Sequence, residues 1–289
     1  MRELRDGPDE PEDRGRAARG VPDAGTGEPA ESRSRAEYAA SLERDANLEV
    51  VRRFEPGRAG LPEVSAGDAA AYLDSHQAGR PWLAAARDRA PEVQRVFAAL
   101  DQGSGHAHIR HEGWVTEEMS ELRLRCLEDP AQLDAAKRAA GIDGLLTGDR
   151  RHRCGSIATR IADPDAFAIA VARGVEHPDV RAALETEFRQ GRTPGPVVLP
   201  IADVLGPHGH RYCTGWQLEA VDGSLKTARE RRDAWVEARS QDDILSGPEP
   251  KARPVETFSG GTVIFAFGPN HARDGYEIVT MHVNPSESG

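Results

Sequence analysis

Thr262-Val-Ile-Phe-Ala-Phe267 and Tyr276-Glu-Ile-Val-Thr-Met281 are the stretches on which the fold reading turns. Both are rich in β-branched and aromatic residues, and the segment Gly268–Gly275 between them is rich in turn formers. Together they predict a closing β-hairpin with a longer loop. Strand composition recurs at Gly155–Ile161, Val197–Leu199 and Tyr212–Leu218. Towards the N-terminus the hydrophobic period changes. Val93, Val96, Phe97 and Leu100 repeat at i, i+3, i+4 and i+7 behind Pro91, a favourable first helical residue. Ser65 predicts an N-cap for a helix with Ala69, Tyr72 and Leu73 on its apolar side. Thr116 predicts one for a helix over Glu117–Glu128, with Met119, Leu122, Cys126 and Leu127 facing the core. Asp163-Pro164 opens another helix, with Phe167 and Val171 inward. His177-Pro178 opens one ending near Phe188, and Ser224–Arg239 is a charged helix. Helices come first and strands late, so the fold class is α+β: a helical N-terminal lobe followed by an antiparallel β-sheet.

The chain divides by composition. Residues 1–33 are rich in Gly, Pro, Glu, Asp and Arg and read as a disordered tail. Residues 34–102 form a helical lead-in, whose first helix carries Tyr38, Leu42, Leu48 and Val51 on one side. Residues 103–289 form the α+β domain, with an insertion at about 190–255.

The net charge of −11 is not the footprint of broad, sequence-independent nucleic-acid binding. Any nucleic-acid role must rest on a local basic site. The first thirty residues contain no apolar signal core, and no run of about 20 apolar residues exists to span a membrane. A cytoplasmic protein, or one released by a non-classical route, is expected. Cys126, Cys154 and Cys213 are scattered without a CxxC, which suits buried free thiols better than a disulfide framework or a zinc site.

Chemistry concentrates in Gly103-Ser-Gly-His-Ala-His-Ile-Arg-His111, which places His106, His108 and His111 beside Arg110. Histidine transfers protons near neutral pH and is also the commonest metal ligand. A metal site using His106, His108 and His111 is one reading. The other is proton transfer at a phosphate, for which Arg110, Arg123 and Arg125 offer planar forks matched to phosphate oxygens. Arg123 and Arg125 lie on the helix after the cluster, and only one of them can face it. Trp114 and Trp216 offer ring faces to a base. His208 and His210 sit in a Gly/Pro turn entering a strand.

Gly105-His106-Ala-His-Ile-Arg-His111, followed twelve positions later by Arg123, resembles the opening motif of the bacterial RNase A-like toxin domains. These are the C-terminal warheads of contact-dependent inhibition and other polymorphic toxin systems. Ala158-Thr-Arg-Ile-Ala-Asp163 resembles the family's strand before a helix, and Tyr276-Glu-Ile-Val-Thr280-Met-His282-Val-Asn-Pro285 resembles its C-terminal strand. The likeness covers about residues 100–175 and 258–285. Ser104 replaces the first motif glycine, and His282 stands where the family usually has tyrosine. The resemblance implies metal-independent RNA cleavage with no cofactor. It makes His111 the acid/base histidine, His106 the first motif histidine and Arg123 the phosphate-binding arginine. Thr280 offers a hydroxyl to the phosphate, and His282 a second proton-transfer group. Arg110, Arg125 and Thr159 would contact substrate. The implied partners are an RNA such as tRNA and an immunity protein. Two alternatives remain: a metal-dependent hydrolase using the histidine cluster, and a non-catalytic binding domain on the same scaffold.

Overall fold

The closing hairpin forms as its composition demands, and it anchors a three-stranded sheet. In this computed structural model, residues 46–240 and 248–286 are described, all within a unit that begins at Arg44. The expected tail, and Tyr38 and Leu42 of the first helix, lie outside the described residues. A helical segment over residues 46–52 leads into α1 (Ala66–His76), α2 (Pro81–Arg87), α3 (Pro91–Gln102) and a single turn, α4 (Ala107–Arg110). Next come α5 (Glu117–Cys126), α6 (Ala135–Ala139), β1 (Ile157–Ile161), α7 (Pro164–Glu176), α8 (Pro178–Leu184), β2 (Val197–Pro200) and α9 (Ile201–Leu205). The chain closes with β3 (Cys213–Leu218), α10 (Leu225–Ser240), β4 (Ala252–Pro254), β5 (Thr262–Pro269) and β6 (Tyr276–Asn284). The class is α+β.

The strands form two antiparallel sheets, ordered β1-β3-β4 and β2-β5-β6. Residues 190–255, expected as an insertion, supply β2, β3 and β4. β3 is the middle strand of its sheet, so this segment is part of the framework. Its pairing partner β1 lies far away in sequence, which is why local reading could not place it. β1 meets β6 where the Thr159 hydroxyl donates to Val283 O at 2.5 Å, joining the two sheets along a seam.

The helix starts follow their caps. Ser65, Thr116 and Asp163 each accept from the backbone N–H three residues on. Pro91 and Pro164 sit in the first turns of α3 and α7, whose Phe97 and Phe167 rings meet at 5.7 Å in the core. That core runs from Val50 to Val283 and joins the helical lead-in to the β2-β5-β6 sheet, while a second, smaller core of Leu124, Ala158, Leu218 and Ala228 lies between α5, α10 and the β1-β3-β4 sheet. α2, absent from the sequence reading, also starts on a proline and buries Trp82 and Leu83. α8 stops at Leu184, short of Phe188.

α5 departs from expectation in its inward face. Ser120, Arg123, Leu124 and Cys126 are buried, while Met119 and Leu122 are only half-buried. The rotation is settled by Arg123, whose guanidinium finds hydrogen-bond acceptors inside.

Candidate active site at the seam of two sheets

The segment carrying the histidines is pressed onto β6. The amide and hydroxyl of Ser104 both donate to the Glu277 carboxylate, and the His106 amide donates to Val279 O at 2.7 Å. Val279 is the extra residue of a β-bulge: Thr280 pairs with Ala266 and Ile278 with Phe267, leaving it unpaired. Gly105 allows the approach. A Cβ there would lie 2.7 Å from Ile278 O and 3.0 Å from Val279 Cα. The turn α4 then sends His106, His108 and His111 in different directions.

His111 sits at the sheet seam. Its amide is bound by Ala107 O at 3.0 Å, and its carbonyl accepts from the Ile161 amide at 3.0 Å. Its Nδ1 lies 2.9 Å from Thr159 O. A carbonyl can only accept, so Nδ1 carries the proton and Nε2 keeps a lone pair. The His111 ring packs against His282 of β6, centroid to centroid 5.4 Å. Thr280 lies two residues before His282 on the same strand, and its hydroxyl is buried without a hydrogen-bond partner.

Arg123 enters from α5. It is buried, 7% exposed, and makes no ion pair among the described residues. Its Nε donates to His152 Nε2 at 3.1 Å, and its Nη1 donates to Arg110 O at 3.2 Å. Nη2 has no hydrogen-bond partner among the described residues. His152 is fixed in turn, because Nε2 must be the accepting nitrogen and Nδ1–H therefore points at Asp143 Oδ2, 3.2 Å away. Asp143 and Asp129 also take Arg110, at 2.9 Å and 2.5 Å. The result is a closed circuit: Arg123 to His152, to Asp143, to the Arg110 guanidinium, and back through the Arg110 carbonyl. The two carboxylates pair with Arg110 directly, and they bear on Arg123 through their charge without touching it.

The charges order the protonation states. Burial, then the nearby Arg110 and Arg123 guanidinium groups, push His106 down to about 3. Burial, Arg123 and His282 hold His111 well below the usual histidine range. Burial and Arg123 lower His282 as well. The Arg123 charge thus acts on His106, His111 and His282 together. Neutral His111 is a base in waiting, and an arriving anion would favour protonation of its neighbour. Next to His111, burial raises the fully enclosed Glu112 carboxyl to about 7, with one oxygen unpartnered.

The other expected residues lie as follows. His106 and Arg110 line a cavity of about 500 Å³ with Trp82, Ser104, Leu145 and Leu146. Arg110 gives its side chain to Asp129 and Asp143, and its backbone to Arg123. Thr159 commits its hydroxyl to Val283 O, and it serves His111 through its carbonyl. Arg125 is not brought to the cluster: its fork is held by Glu121, Glu249 and Pro250 O. His108 turns away to Asp101. Trp114 donates to His108 O and packs near Trp82, while Trp216 donates to Glu117. Cys126 and Cys213 are buried, and burial pushes the Cys213 thiol up to about 12.

His106, His108 and His111 do not converge as a ligand set. Among the described residues, Asp129, Asp143 and His152 are the group whose ligand atoms come within 4.8 Å of one another. The Arg110 guanidinium already occupies their oxygens. Sequence reasoning missed these three residues. Asp129 and Asp143 lie in loops without periodicity, and the one signal for His152 was its place inside the basic run Arg150–Arg153. No family model matches this chain, and neither the curated proteins nor the solved structures contain a significant match.

Proposed function

We propose that this chain is a ribonuclease that cleaves RNA by attack of a 2′-hydroxyl on the adjacent phosphate, assisted by histidine and without a metal. One observation carries the reading. Arg123 is buried without an ion pair among the described residues, and its charge bears on two histidines in ring contact, His111 and His282, the second of which shares its strand with the buried, unpartnered Thr280 hydroxyl. A buried guanidinium with no direct counter-charge is costly unless an anion completes it. The phosphate diester of RNA is such an anion, and the same histidines supply the proton chemistry that its cleavage needs.

In this reading His111 Nε2 takes the proton of the 2′-hydroxyl as the new O2′–P bond forms. Arg123 and Thr280 hold the non-bridging oxygens. The P–O5′ bond breaks, and His282, protonated in the field of the bound phosphate, gives its proton to the leaving 5′-oxygen. A 2′,3′-cyclic phosphate and a 5′-hydroxyl result. His282 takes the place of the tyrosine in the resembled family and brings a titratable group to the acid position. A toxin of this kind requires an immunity protein that blocks the cluster.

The test is RNA cleavage by purified protein in EDTA. We expect wild-type cleavage of tRNA or rRNA and a loss of about 10²–10⁴-fold in His111→Ala with the fold retained. Intact RNA in the presence of folded wild-type protein would count against the proposal. A metal-dependent hydrolase is the second reading, favoured by the Asp129, Asp143 and His152 group and opposed by the Arg110 guanidinium held there. Stoichiometric zinc or manganese, with activity abolished by EDTA, would select it.

A further inference from the structure

Behind His152 lies a second cavity, of about 420 Å³, that the cleavage chemistry does not use. Its walls come from the 151–154 loop and from α10, and they include Arg151, Arg153, Arg229 and Arg232. Two of these arginines are committed. Arg232 is fully buried, donating to the carbonyls of Leu124, Cys154 and Gly155 and pairing with Asp233 at 2.7 Å. Arg151 pairs with Glu237 at 3.2 Å. The other two, Arg153 and Arg229, are exposed and make no ion pair among the described residues. The two acids of the lining, Asp233 and Glu237, are thus answered by Arg232 and Arg151, and two positive charges remain facing the cavity.

In a chain of net charge −11, a concave surface with an uncompensated cationic pair is the local basic site that nucleic-acid binding would require. Its position is informative. His152 lines this cavity and also accepts the hydrogen bond of Arg123 at 3.1 Å, so one imidazole separates it from the arginine assigned to the scissile phosphate.

We propose that Arg153 and Arg229 form a backbone-phosphate subsite that binds a phosphate of the RNA strand flanking the one being cleaved. The inference builds on the ribonuclease reading and names the part of the substrate held outside the cleavage cluster. The two guanidinium groups act as counter-ions to phosphate, contribute no base selectivity, and make binding steeply salt-dependent. Arg232 is a positioning residue here: by tying α10 to the carbonyls at Leu124 and Cys154–Gly155, it fixes the helix bearing Arg229 against the loop bearing Arg153.

The experiment uses the full chain and a 2′-O-methyl oligoribonucleotide, which binds but cannot be cleaved by 2′-hydroxyl attack. Binding is followed by fluorescence anisotropy over a range of salt concentrations. Removing that phosphate contact in Arg153→Gln/Arg229→Gln should make the slope of log affinity against log salt shallower by about 0.7, the value for one phosphate on a single strand. Arg153→Lys/Arg229→Lys should keep the wild-type slope, because Lys keeps the charge. Arg58→Gln, paired with Glu55 elsewhere on the surface, should also keep it. An unchanged slope in the Gln pair overturns the subsite, and so does displacement of the oligonucleotide by polyglutamate at equal charge, which would mark an acidic protein as the occupant. The two readings fail separately. Cleavage of natural RNA with no slope change in the Gln pair removes the subsite alone. Charge-dependent oligonucleotide binding with no cleavage of natural RNA removes the nuclease alone.

Discussion

Two buried carboxylate hubs, one at Asp101 and one at Asp129 and Asp143, use the same residue types to opposite ends. At Asp101 the carboxylate collects Tyr72 Oη at 2.8 Å, Trp82 Nε1 at 2.7 Å, Arg80 at 2.5 Å and His108 Nε2 at 3.3 Å. The network stops there, because His108 Nδ1 is buried without a partner. At the second hub, His152 passes the interaction on: one nitrogen faces Asp143 and the other receives Arg123, whose charge bears on His111 and His282. The first hub locks α1, α2 and α3 to the histidine turn. The second connects carboxylates to an arginine with an open hydrogen-bonding edge. A histidine's role is therefore set by what its second nitrogen meets, which separates His108 from His152 more sharply than burial does, since both are almost fully enclosed.

The contrast is broken most forcefully at the lock. Asp101→Ala strands Trp82 Nε1, Tyr72 Oη and His108, and should cost about 3–5 kcal/mol of stability by denaturant unfolding. It should leave the cleavage rate of the folded fraction unchanged, and a selective loss of that rate would erase the distinction between hubs.

A smaller effect is expected at the relay. His152→Phe keeps a ring of similar size but removes the acceptor for Arg123. It should lower kcat/KM by about 10²-fold through misplacement of the guanidinium. His152→Gln, which offers a carbonyl oxygen, should recover part of this loss. If Phe and Gln behave alike, His152 only fills space.

The smallest effect is a pH response. His106, depressed to about 3 by burial and by Arg110 and Arg123, binds fewer protons in the native state than in the unfolded one between that value and about 6.5. Its contribution is full above about 6.5 and falls with pH by about 1.4 kcal/mol per unit through that window. The depressed pKa values of His111 and His152 act in the same direction. Burial alone would raise the Asp101 carboxyl, but the bonds from His108, Trp82 and Tyr72 hold it well below the usual range. Its contribution therefore persists until the pH falls below about 3.9. Acid titration watched by histidine NMR should show the relay charging before the lock opens, and the reverse order would contradict the assignment of roles. On the alkaline side, Glu112 is raised to about 7 by burial, so its contribution is lost as pH rises from about 4.5 through that value.

Local signals carried much of the fold. The α3 stripe, the Ser65, Thr116 and Asp163 caps and the closing hairpin need only neighbours in sequence to declare themselves. Non-local pairing hid the rest. Nothing near Cys213–Leu218 announces that it is the middle strand beside β1, so the segment read as an insertion. At the site, His106 and His111 stood out by clustering, and the spacing of Arg123 and Arg125 allowed only one to face inward. Which one turned on acceptors supplied by His152 and Arg110, and no pattern in the sequence links those residues. Asp129 and Asp143 acquire their roles through burial against Arg110, a property of the folded chain alone.

Attack by the 2′-hydroxyl is read from the termini left on cleaved RNA. Wild-type protein in EDTA is given a short end-labelled RNA, and the fragments are resolved by mass. A 2′,3′-cyclic phosphate is expected on one fragment and a 5′-hydroxyl on the other, with neither formed by His111→Ala. Fragments bearing 5′-phosphates, or cleavage that disappears with EDTA and returns with added metal, would contradict it.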